Sequence, residues 1–299
     1  MIPVHVPVLA AQVLDRLAPP PGGALVVDCT LGEGGHAEAF LKADPDCRVI
    51  GIDADPAMRE RAAERLATWG GRVEVMAGWS DEALAGWSGP PADRILMDLG
   101  ISTYHYEGGG RGFSFARDES LDMRLDPSSG PSAADLVNSL GETELADLIY
   151  GFGEERYSRR IAALVARERK SAPFRDAARL ADAVRRAVPP QARHGRLHPA
   201  TRTFQALRIA VNRELERLDA FLEAAPGVLA PGGRLGVISF HSLEDRRVKL
   251  SFRERASAGD GAWRLVDKKP LTADEAERRD NPPSRSAKFR VLERVGGTA

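Results

Sequence analysis

The sequence predicts an α/β protein with a doubly wound, mostly parallel sheet of seven strands that is interrupted by an all-helical insert. Three observations lead to this prediction. Short apolar segments alternate with helical segments over the first hundred residues, which is typical of a parallel sheet. Near Gly108 the alternation gives way to a glycine-rich loop and then to helical segments only. After Pro199 a long helical segment, a Pro-Gly-Gly turn and a buried strand restore the first pattern.

The boundaries follow from the same patterns. We predict a discontinuous sheet domain over 1–108 and 199–299 and an inserted helical domain over 109–198. The predicted strands are 24–28, 48–52, 73–76 and 93–98, the strand after the Pro-Gly-Gly turn, 263–267 and 288–295. The predicted helices are 37–42, 56–69, 132–140, 142–150, 156–170, 174–188 and one helix through 204–222, whose apolar residues recur every three or four positions.

The turn after the first strand has the composition of a cofactor site. The apolar strand runs into Asp28, and Gly32, Gly34 and Gly35 follow, so the backbone can turn tightly and approach a ligand. Asp53 ends the second strand 19 residues after Gly34, which is the spacing of an acid that binds a ribose diol. A nucleoside cofactor fits this pattern. The alternative is a tight strand-to-helix turn that binds nothing.

Two further strand ends favour one nucleoside cofactor. Asp98 follows the apolar strand 93–97, and the segment 228–240 reads as a helix end, a Pro-Gly-Gly turn and a buried strand. The latter unit resembles the entry to the fifth strand of doubly wound S-adenosylmethionine-dependent methyltransferases. We therefore favour S-adenosyl-L-methionine over NAD, the cofactor of the alternative oxidoreductase class. The turn has no Gly-x-x-x-x-Gly-Lys-Ser/Thr sequence, so a P-loop is unsupported.

Composition is that of a cytoplasmic enzyme. The chain has 299 residues, 43% of them hydrophobic, and its apolar runs are too short to predict a membrane segment. The N-terminus has no charged and then apolar leader. Cys29 and Cys47 lack metal-ligand spacing and are expected to be buried apolar residues, so we predict no metal site.

The formal net charge of −1 is unevenly distributed. Between Gly153 and Arg213 there are 15 Lys or Arg residues and 5 Asp or Glu residues, a local charge of +10 that leaves −11 for the rest of the chain. Clustered cations indicate a polyanion partner. The alternative is a solvated, arginine-rich helical surface.

Seven segments, in the same order along nearly the whole chain, resemble the small-subunit ribosomal RNA cytosine-N4 methyltransferases, the RsmH or MraW family. The segments are Gly32-x-Gly-Gly-His36, Arg111-Gly-Phe-Ser-Phe115, Leu121-Asp-Met-Arg124, Gly153-Glu-Glu-Arg156, His198-Pro-Ala-Thr-Arg-Thr-Phe-Gln-Ala-Leu-Arg208, Ser239-Phe-His-Ser-Leu-Glu-Asp-Arg246 and Asn281-Pro-x-Ser-Arg-Ser-x-Lys288.

The resemblance implies a class I, Rossmann-like methyltransferase fold and methyl transfer from S-adenosyl-L-methionine to the exocyclic N4 amine of a decoding-centre cytidine in 16S rRNA of the small ribosomal subunit. It implies no DNA partner and leaves a homodimer open. Trp79 stands where phenylalanine is common in the family, and His105 where glutamine is frequent. The implied cofactor contacts are Gly34, Gly35, His36, Asp53, Trp79, Asp98 and His105.

Asp98 is the candidate catalytic residue because its carboxylate could orient one N–H of the cytosine amine, and a nearby backbone carbonyl is the alternative acceptor. Exocyclic-amine methyltransferases often have Asp/Asn-Pro-Pro-aromatic at this place, whereas this chain has Asp98-Leu-Gly-Ile101. Candidate substrate contacts can stack on bases, bind base edges or hold phosphates. They are Phe113, Phe115, Tyr157, Arg202, Ser239, His241, Ser242 and Arg285.

Each substrate candidate has a structural alternative. Phe113 and Phe115 could pack the insert against the sheet, His198 could cap a helix, and the 280–286 segment around Arg285 could be an ordinary polar loop. A non-catalytic RNA-binding or assembly factor that keeps the fold is the second alternative function. The presence of Gly34, Asp53 and Asp98 argues against it.

Overall fold

The structure, a computed structural model, describes residues 6–107, 109–115, 118–195, 197–259 and 261–296. The chain forms two compact units. The sheet unit comprises Met1–Ile101 and Glu216–Ala299, and the helical unit comprises Ser102–Leu215. The first predicted domain boundary, at 108, lies outside the described residues, and the second, at 198/199, lies within the helical unit.

The sheet unit contains a seven-stranded mixed sheet. Its order is β3-β2-β1-β4-β5-β7-β6; the first five strands are parallel, and β7 is antiparallel to both β5 and β6. The predicted α/β fold with a doubly wound sheet is therefore confirmed. The strands are β1 (Leu25–Asp28), β2 (Arg48–Asp53), β3 (Val73–Ala77), β4 (Ala92–Asp98), β5 (Leu229–Ser239), β6 (Trp263–Leu265) and β7 (Lys288–Arg294).

Helices flank the sheet and make up the helical unit. They are α1 (Ala10–Leu17), α2 (Gly35–Ala43), α3 (Pro56–Leu66), α4 (Ser80–Ala85), α5 (Thr103–Glu107), α6 (Ala133–Ser139), α7 (Glu142–Gly153), α8 (Ser158–Glu168), α9 (Ala177–Ala187), α10 (Thr201–Asn212), α11 (Glu214–Val228), α12 (Ser242–Ala256) and α13 (Glu275–Asp280). Short 3-10 helices span Ala67–Arg72, Pro190–Ala192 and Pro282–Ser286.

Each face of the sheet has its own hydrophobic core, because successive strand residues point to opposite faces. Val26 packs with Phe40 of α2 on one face. Val27 packs with Phe221 of α11 on the other, together with residues of α4 and α12. Helices on both faces bury the sheet, so polar side chains of the sheet reach a surface mainly where strands end. No helix of the described residues is long and apolar enough to cross a membrane.

The Pro-Gly-Gly segment lies inside β5 and forms an irregularity in it. β5 pairs with β4 at Ala92↔Leu229 and again at Arg94↔Arg234, so the turn inserts three extra residues into β5. Gly232 has φ 78°, and a Cβ at Gly233 would lie 2.8 Å from the Ala230 carbonyl oxygen. The turn allows α11 to lead directly into the central part of the sheet.

The prediction of one helix through 204–222 is wrong. α10 ends at Asn212, and α11 begins after Arg213, which has a left-handed φ of 52°. The Asn212 side chain donates to the carbonyl oxygens of Arg208 and Met123 and accepts from the Leu125 N–H. Because the apolar spacing continues across Arg213, the sequence pattern gives no sign of this break.

The helical unit packs around α7 and α10, which explains why its boundary differs from the predicted one. A Cβ at Gly153 of α7 would lie 2.5 Å from the Arg202 carbonyl oxygen of α10, so the two helices approach closely. Gln205 donates to the Phe152 carbonyl oxygen across the same interface at 3.3 Å. α10 therefore belongs to the helical unit and not to the sheet domain to which the sequence pattern assigned it.

Candidate functional site

The glycine turn connects the carboxyl end of β1 to α2. Gly32 and Gly34 have left-handed φ values of 52° and 78°, a region that favours glycine, and the Gly34 N–H donates to the Leu31 carbonyl oxygen at 2.8 Å. Gly34 is the N-cap of α2, and Gly35 is its first residue. The backbone amides of this turn and the start of α2 form the positive end of a helix dipole.

Asp53 ties the end of β2 to that turn. Its Oδ2 accepts the Gly32 N–H at 2.8 Å, and its Oδ1 accepts the Asp55 N–H at 2.9 Å. The Asp53 carbonyl oxygen accepts hydrogen bonds from Arg59 and from the Gly78 N–H. A carboxylate oxygen can accept more than one hydrogen bond, so Asp53 is fixed in place and can still accept hydroxyl groups.

His36 and Asp98 meet at the ends of α2 and β4. His36 Nε2 lies 3.4 Å from Asp98 Oδ2, and the Asp98 N–H donates to Thr30 Oγ1 at 2.6 Å. The side chain of His36 is 7% exposed and that of Asp98 is 17% exposed. Among the described residues, both His36 ring nitrogens and Asp98 Oδ1 have no hydrogen-bond partner. These buried polar atoms are available to a polar ligand, to a water molecule or to a proton transfer.

Asp28 extends this cluster into the sheet. It is 1% exposed, and burial raises the pKa of its carboxyl group from 3.8 to about 6, against the opposing effect of His36. Its Oδ1 accepts the Thr30 N–H at 3.3 Å, whereas Oδ2 has no hydrogen-bond partner among the described residues. Asp28 was not predicted from the sequence as a site residue. The only signal was a lone carboxylate at the end of an apolar strand.

Trp79 follows β3 and precedes α4. The guanidinium carbon of Arg217 lies 4.0 Å from the centre of its ring, a cation–π contact that covers one face of the indole. Arg217 is held over the ring by ion pairs with Asp81 and Glu82. The next residue, Ser80, donates its hydroxyl to the Cys29 carbonyl oxygen, which links α4 to the end of β1. Trp79 is therefore held close to the sheet by its neighbours.

Both cysteines are buried, as predicted. Burial raises the pKa of the Cys29 thiol well above its usual value and that of Cys47 to about 11. Neither residue has the low thiol pKa of a reactive cysteine.

Ser239, His241 and Ser242 lie at the carboxyl end of β5. Ser239 is 2% exposed, and its hydroxyl is directed to the Lys288 carbonyl oxygen at 3.4 Å. His241 is the N-cap of α12, and Ser242 is its first residue. The Glu244 carboxylate accepts the Phe240 and His241 N–H groups, and its Oε1 lies 3.0 Å from His241 Nε2. The imidazole is thus held next to a buried carboxylate.

Arg285 lies in the short 3-10 helix Pro282–Ser286, before β7. Its side chain is exposed, and its Nε donates to the Arg278 carbonyl oxygen at 2.9 Å. The neighbouring Ser284 is 1% exposed, and its hydroxyl has no partner among the described residues. The segment is an ordered turn and presents the Arg285 guanidinium to solvent.

Two predicted site residues lie together in the helical unit. His105 and Phe113 are both buried, and their rings meet edge to face with centroids 5.1 Å apart. Arg111 lies over the Phe113 ring at 5.6 Å. Phe113 therefore packs in the core of its own unit, with Arg111 over one face of its ring.

The other helical-unit candidates are more accessible. Phe115 is half-buried and stacks on His198 at 4.6 Å, and its edge contact with Phe204 has a centroid distance of 5.0 Å. Burial and the nearby Arg185 lower the pKa of His198, so this imidazole is neutral at pH 7. Its Nδ1 accepts the Ala200 N–H at 3.2 Å, which matches the capping alternative.

Tyr157 and Arg202 complete the predicted set. Tyr157 precedes α8, and the guanidinium of Arg156 lies 4.6 Å from the centre of its ring. Arg202 is exposed on α10 and donates to the Glu154 carbonyl oxygen at 3.2 Å. Tyr157 thus has a cation beside its ring, and Arg202 is itself a cation at the surface of the helical unit.

The structure thus brings Gly34, Gly35, His36, Asp53 and Asp98 together at the carboxyl ends of β1, β2 and β4. Trp79 follows β3, next to Asp53's strand. This is the edge of a doubly wound sheet at which ligands bind. The helical unit contributes a separate surface with exposed arginines and one stacked aromatic pair.

Comparison with known proteins agrees with this geometry. Residues 3–295 match the model of the MraW methylase family. A protein from Treponema denticola named ribosomal RNA small subunit methyltransferase H is 51% identical, with 99% of this chain and 98% of that protein covered. A protein of the same name from Prochlorococcus marinus is 50% identical over 97% of this chain and 93% of its own length.

A solved structure of an rRNA methylase from Streptococcus thermophilus aligns with a TM-score of 0.40 and 11% identity, over 96% of this chain and 93% of that one. This structural likeness is too low to carry an argument about the family. The family assignment rests on the strand order of the sheet and on the match along nearly the whole sequence. This chain belongs to the MraW methylase family.

Proposed function

We propose that this enzyme transfers a methyl group from S-adenosyl-L-methionine to the exocyclic N4 amine of a decoding-centre cytidine in 16S rRNA, in the cytoplasm and on an assembled or nearly assembled small subunit. One observation carries the proposal. The relatives named ribosomal RNA small subunit methyltransferase H match 97–99% of this chain, so the similarity includes the helical unit as well as the sheet unit.

The residues of the sheet unit fit the cofactor. Asp53 is positioned to accept the ribose hydroxyls, and the Gly34 and Gly35 backbone gives close access at the start of α2. Trp79, with Arg217 on one face, offers an aromatic surface for adenine. The unpartnered polar atoms of His36 and Asp98 fit the charged amino-acid end. We assign His105 a supporting role, because it packs against Phe113 within the helical unit.

When bound, the cofactor supplies a methyl group already activated by a sulfonium. The protein therefore has to align the amine with that methyl group and accept one proton. Asp98 Oδ1 is buried and unpartnered among the described residues, so it can accept one N–H of the cytosine amine and direct the nitrogen lone pair. The Thr30 hydroxyl, which binds the Asp98 N–H, holds the end of β4 in place.

Substrate contacts are proposed on both units. On the sheet unit, His241, Ser242 and Arg285 are the candidates for base edges and phosphate, whereas Ser239 shapes the end of β5 because its hydroxyl is directed to the backbone. On the helical unit, Phe115 and Tyr157 can stack on bases and Arg202 can bind a phosphate. Phe113 supports the loop that carries Phe115.

Labelling of small subunits tests the function. We expect tritium from methyl-labelled S-adenosyl-L-methionine to enter 16S rRNA of unmethylated 30S particles, and a nucleoside digest analysed by mass to show N4-methylcytidine. Asp98→Ala should lower the rate at least about 100-fold, as the loss of a residue that contacts the reacting group. Methylation by wild-type protein of any other position would contradict the proposal.

Three controls separate the alternatives. Wild-type protein should bind S-adenosyl-L-methionine and not NAD in calorimetry, which excludes the oxidoreductase. Binding of 30S particles with no methyl incorporation would instead identify a non-catalytic factor. Asp46→Asn removes the charge of an exposed carboxylate near β2 and should leave the rate unchanged.

We also propose that the enzyme forms a homodimer. Sedimentation velocity should then give a species of twice the 32.3 kDa chain mass. A single species at the mass of one chain, at micromolar concentration and with cofactor present, would contradict the dimer.

A further inference from the structure

Glu244 joins the backbone at the end of β5 to the imidazole of His241. Its side chain is 2% exposed. Oε2 accepts the Phe240 N–H at 2.8 Å and the His241 N–H at 3.3 Å. Oε1 lies 3.0 Å from His241 Nε2. The two oxygens of one buried carboxylate therefore have different contacts: one binds backbone N–H groups at the start of α12, and the other faces the imidazole.

This contact decides which nitrogen of the His241 imidazole carries the hydrogen. An ionised carboxylate only accepts hydrogen bonds, and the two backbone N–H groups at Oε2 favour the ionised form. A nitrogen 3.0 Å from Oε1 carries a hydrogen, because two lone pairs at that distance would repel each other. In the neutral imidazole the other nitrogen, Nδ1, then keeps its lone pair and is a hydrogen-bond acceptor.

His241 Nδ1 is buried and has no hydrogen-bond partner among the described residues. A buried acceptor without a partner is unfavourable, so this atom is suited to a donor that a ligand brings. Ile238 of β5 pairs in register with Asp98 of β4, and His241 follows Ile238 by three residues. His241 therefore lies at the same carboxyl edge of the sheet as Asp98, beyond the ends of two neighbouring strands.

From these contacts we infer that Glu244 is a positioning residue, which holds His241 in its Nε2–H form so that Nδ1 accepts an N–H of the target base. The inference rests on the proposed function. The exocyclic amine of cytosine has two N–H groups, of which Asp98 is proposed to accept one, and Nδ1 accepts the second. An imidazole with its hydrogen on Nδ1 would instead place an N–H against the amine. That form would suit a base with a carbonyl oxygen at the same position, as in uracil.

Nitrogen-15 NMR of ring-labelled histidine tests the position of the hydrogen directly. At about pH 8, the pH of the methylation assay, the His241 signals are identified by their absence in His241→Gln. We expect the Nε2–H form in wild type. Glu244→Gln should move the hydrogen to Nδ1: the glutamine oxygen accepts the Phe240 and His241 N–H groups, so the amide N–H groups face Nε2. Glu254→Gln, the same substitution at an exposed position of α12, should keep the wild-type spectrum.

Methylation of 30S particles tests the consequence for the substrate. We expect kcat/KM to fall about 10- to 100-fold in Glu244→Gln and by a similar factor in His241→Ala, as for the loss of a hydrogen bond to the substrate. Because Glu244 acts through His241, the double variant should be no more than about twofold slower than His241→Ala. Glu254→Gln should match wild type. The Kd for S-adenosyl-L-methionine, measured by calorimetry, should stay within about twofold of wild type in every variant, because none of these residues binds the cofactor.

The outcomes separate this inference from the proposed function. A wild-type His241 with its hydrogen on Nδ1, or with hydrogens on both nitrogens, overturns the inference whether or not Glu244→Gln folds. If wild-type protein methylates 30S particles but the losses of the two single variants multiply in the double variant, Glu244 has a structural role and does not act through His241. If wild-type protein methylates nothing, the proposed function fails, and the NMR spectra still decide whether Glu244 fixes the Nε2–H form.

Discussion

The Gly32 backbone N–H donates to Asp53 Oδ2 at 2.8 Å, so the glycine turn after β1 and the acid at the end of β2 are one hydrogen-bonded unit. The second carboxylate oxygen accepts the Asp55 N–H at the start of α3. Asp53 therefore has two tasks in this structure. It is available to the ribose, and it fixes the shape of the turn that admits the cofactor.

This double task predicts a large effect of Asp53→Ala on cofactor binding. The variant loses the ribose acceptor and frees two backbone amides, and hydrogen bonds to a charged group contribute about 1.5–3 kcal/mol each. We expect the Kd for S-adenosyl-L-methionine to rise about 10- to 100-fold in calorimetry. Asp46→Asn, which removes an exposed negative charge near the start of the same strand, should stay within twofold. A change of less than about threefold in Asp53→Ala would show that the acid is not needed.

The spacing in the sequence was sufficient to predict this unit, because parallel strands have their carboxyl ends at the same edge of the sheet. Gly34, His36, Asp53 and Asp98 were predicted from strand ends and from the family resemblance, and the structure places them together. Arg213 was not predicted. It adopts a left-handed conformation that favours glycine, so no residue type marked the end of α10.

Which loop residues are buried could not be predicted from the sequence either. Phe113 and Phe115 are two residues apart in an irregular segment, yet one is buried against His105 and the other stacks on His198. Asp28 likewise looked like an ordinary strand end, because its altered pKa depends on desolvation and on His36, Asp98 and Asp53. Such contacts depend on the tertiary fold and have no local pattern.

Alanine substitutions at two glycines near the end of α7, Gly151 and Gly153, should change the stability of the fold in opposite directions. A Cβ at Gly153 would lie 2.5 Å from the Arg202 carbonyl oxygen and 3.2 Å from Ala206 Cβ, so Gly153→Ala must separate α7 from α10. Overpacking of this kind costs about 1–3 kcal/mol. A Cβ at Gly151 meets nothing within 4 Å, and alanine is the better helix former by about 0.5–1 kcal/mol.

Urea unfolding of both variants measures the difference. Gly151→Ala should unfold at a higher urea concentration than wild type, and Gly153→Ala at a lower one. The pair shares one helix, one substitution and ordinary φ values, so local helix propensity cannot explain opposite signs. Equal shifts in the two variants would contradict the close approach of α7 and α10.

The raised pKa of Asp28 predicts that the stability of the fold depends on pH. Its folded-state pKa, about 6, is raised above its ordinary value of 3.8, so the folded protein binds more protons than the unfolded chain between these values. Ionisation of Asp28 therefore destabilises the fold, and this penalty is absent below the ordinary value and complete above pH 6. About 2 kcal/mol of this destabilisation should develop between pH 4.5 and 7.5.

The comparison with Asp28→Asn isolates this effect, because asparagine does not titrate and other groups contribute equally to both proteins. The free energy of unfolding of wild type minus that of Asp28→Asn should fall by about 2 kcal/mol from pH 4.5 to 7.5, measured by urea unfolding without cofactor. A difference that is constant with pH, or that rises, would show that Asp28 keeps an ordinary pKa.

Arg159 and Arg160 predict an electrostatic contribution to RNA binding. Both are exposed in the first turn of α8, and that first turn has no acidic residue. Neither arginine has an ion pair or hydrogen bond within the part of the chain that the structure describes. Cations at a helix N-terminus oppose the helix dipole, so these arginines do not serve helix stability. The charge-reduced variant Arg159→Gln with Arg160→Gln should therefore unfold at the same or a slightly higher urea concentration than wild type.

RNA binding should be weakened by the same double substitution that leaves stability unchanged or slightly higher. Each lost phosphate contact lowers the slope of log affinity against log salt by about 0.7–0.9, so the double variant should lose about 1.5 from the slope for 16S rRNA in a filter-binding series in KCl. Lys268→Gln with Lys269→Gln removes the same charge from two adjacent exposed residues of the sheet unit, between β6 and α13, and should leave the slope unchanged. Equal losses in both double variants would mean that overall charge, and not the surface of the helical unit, attracts the RNA.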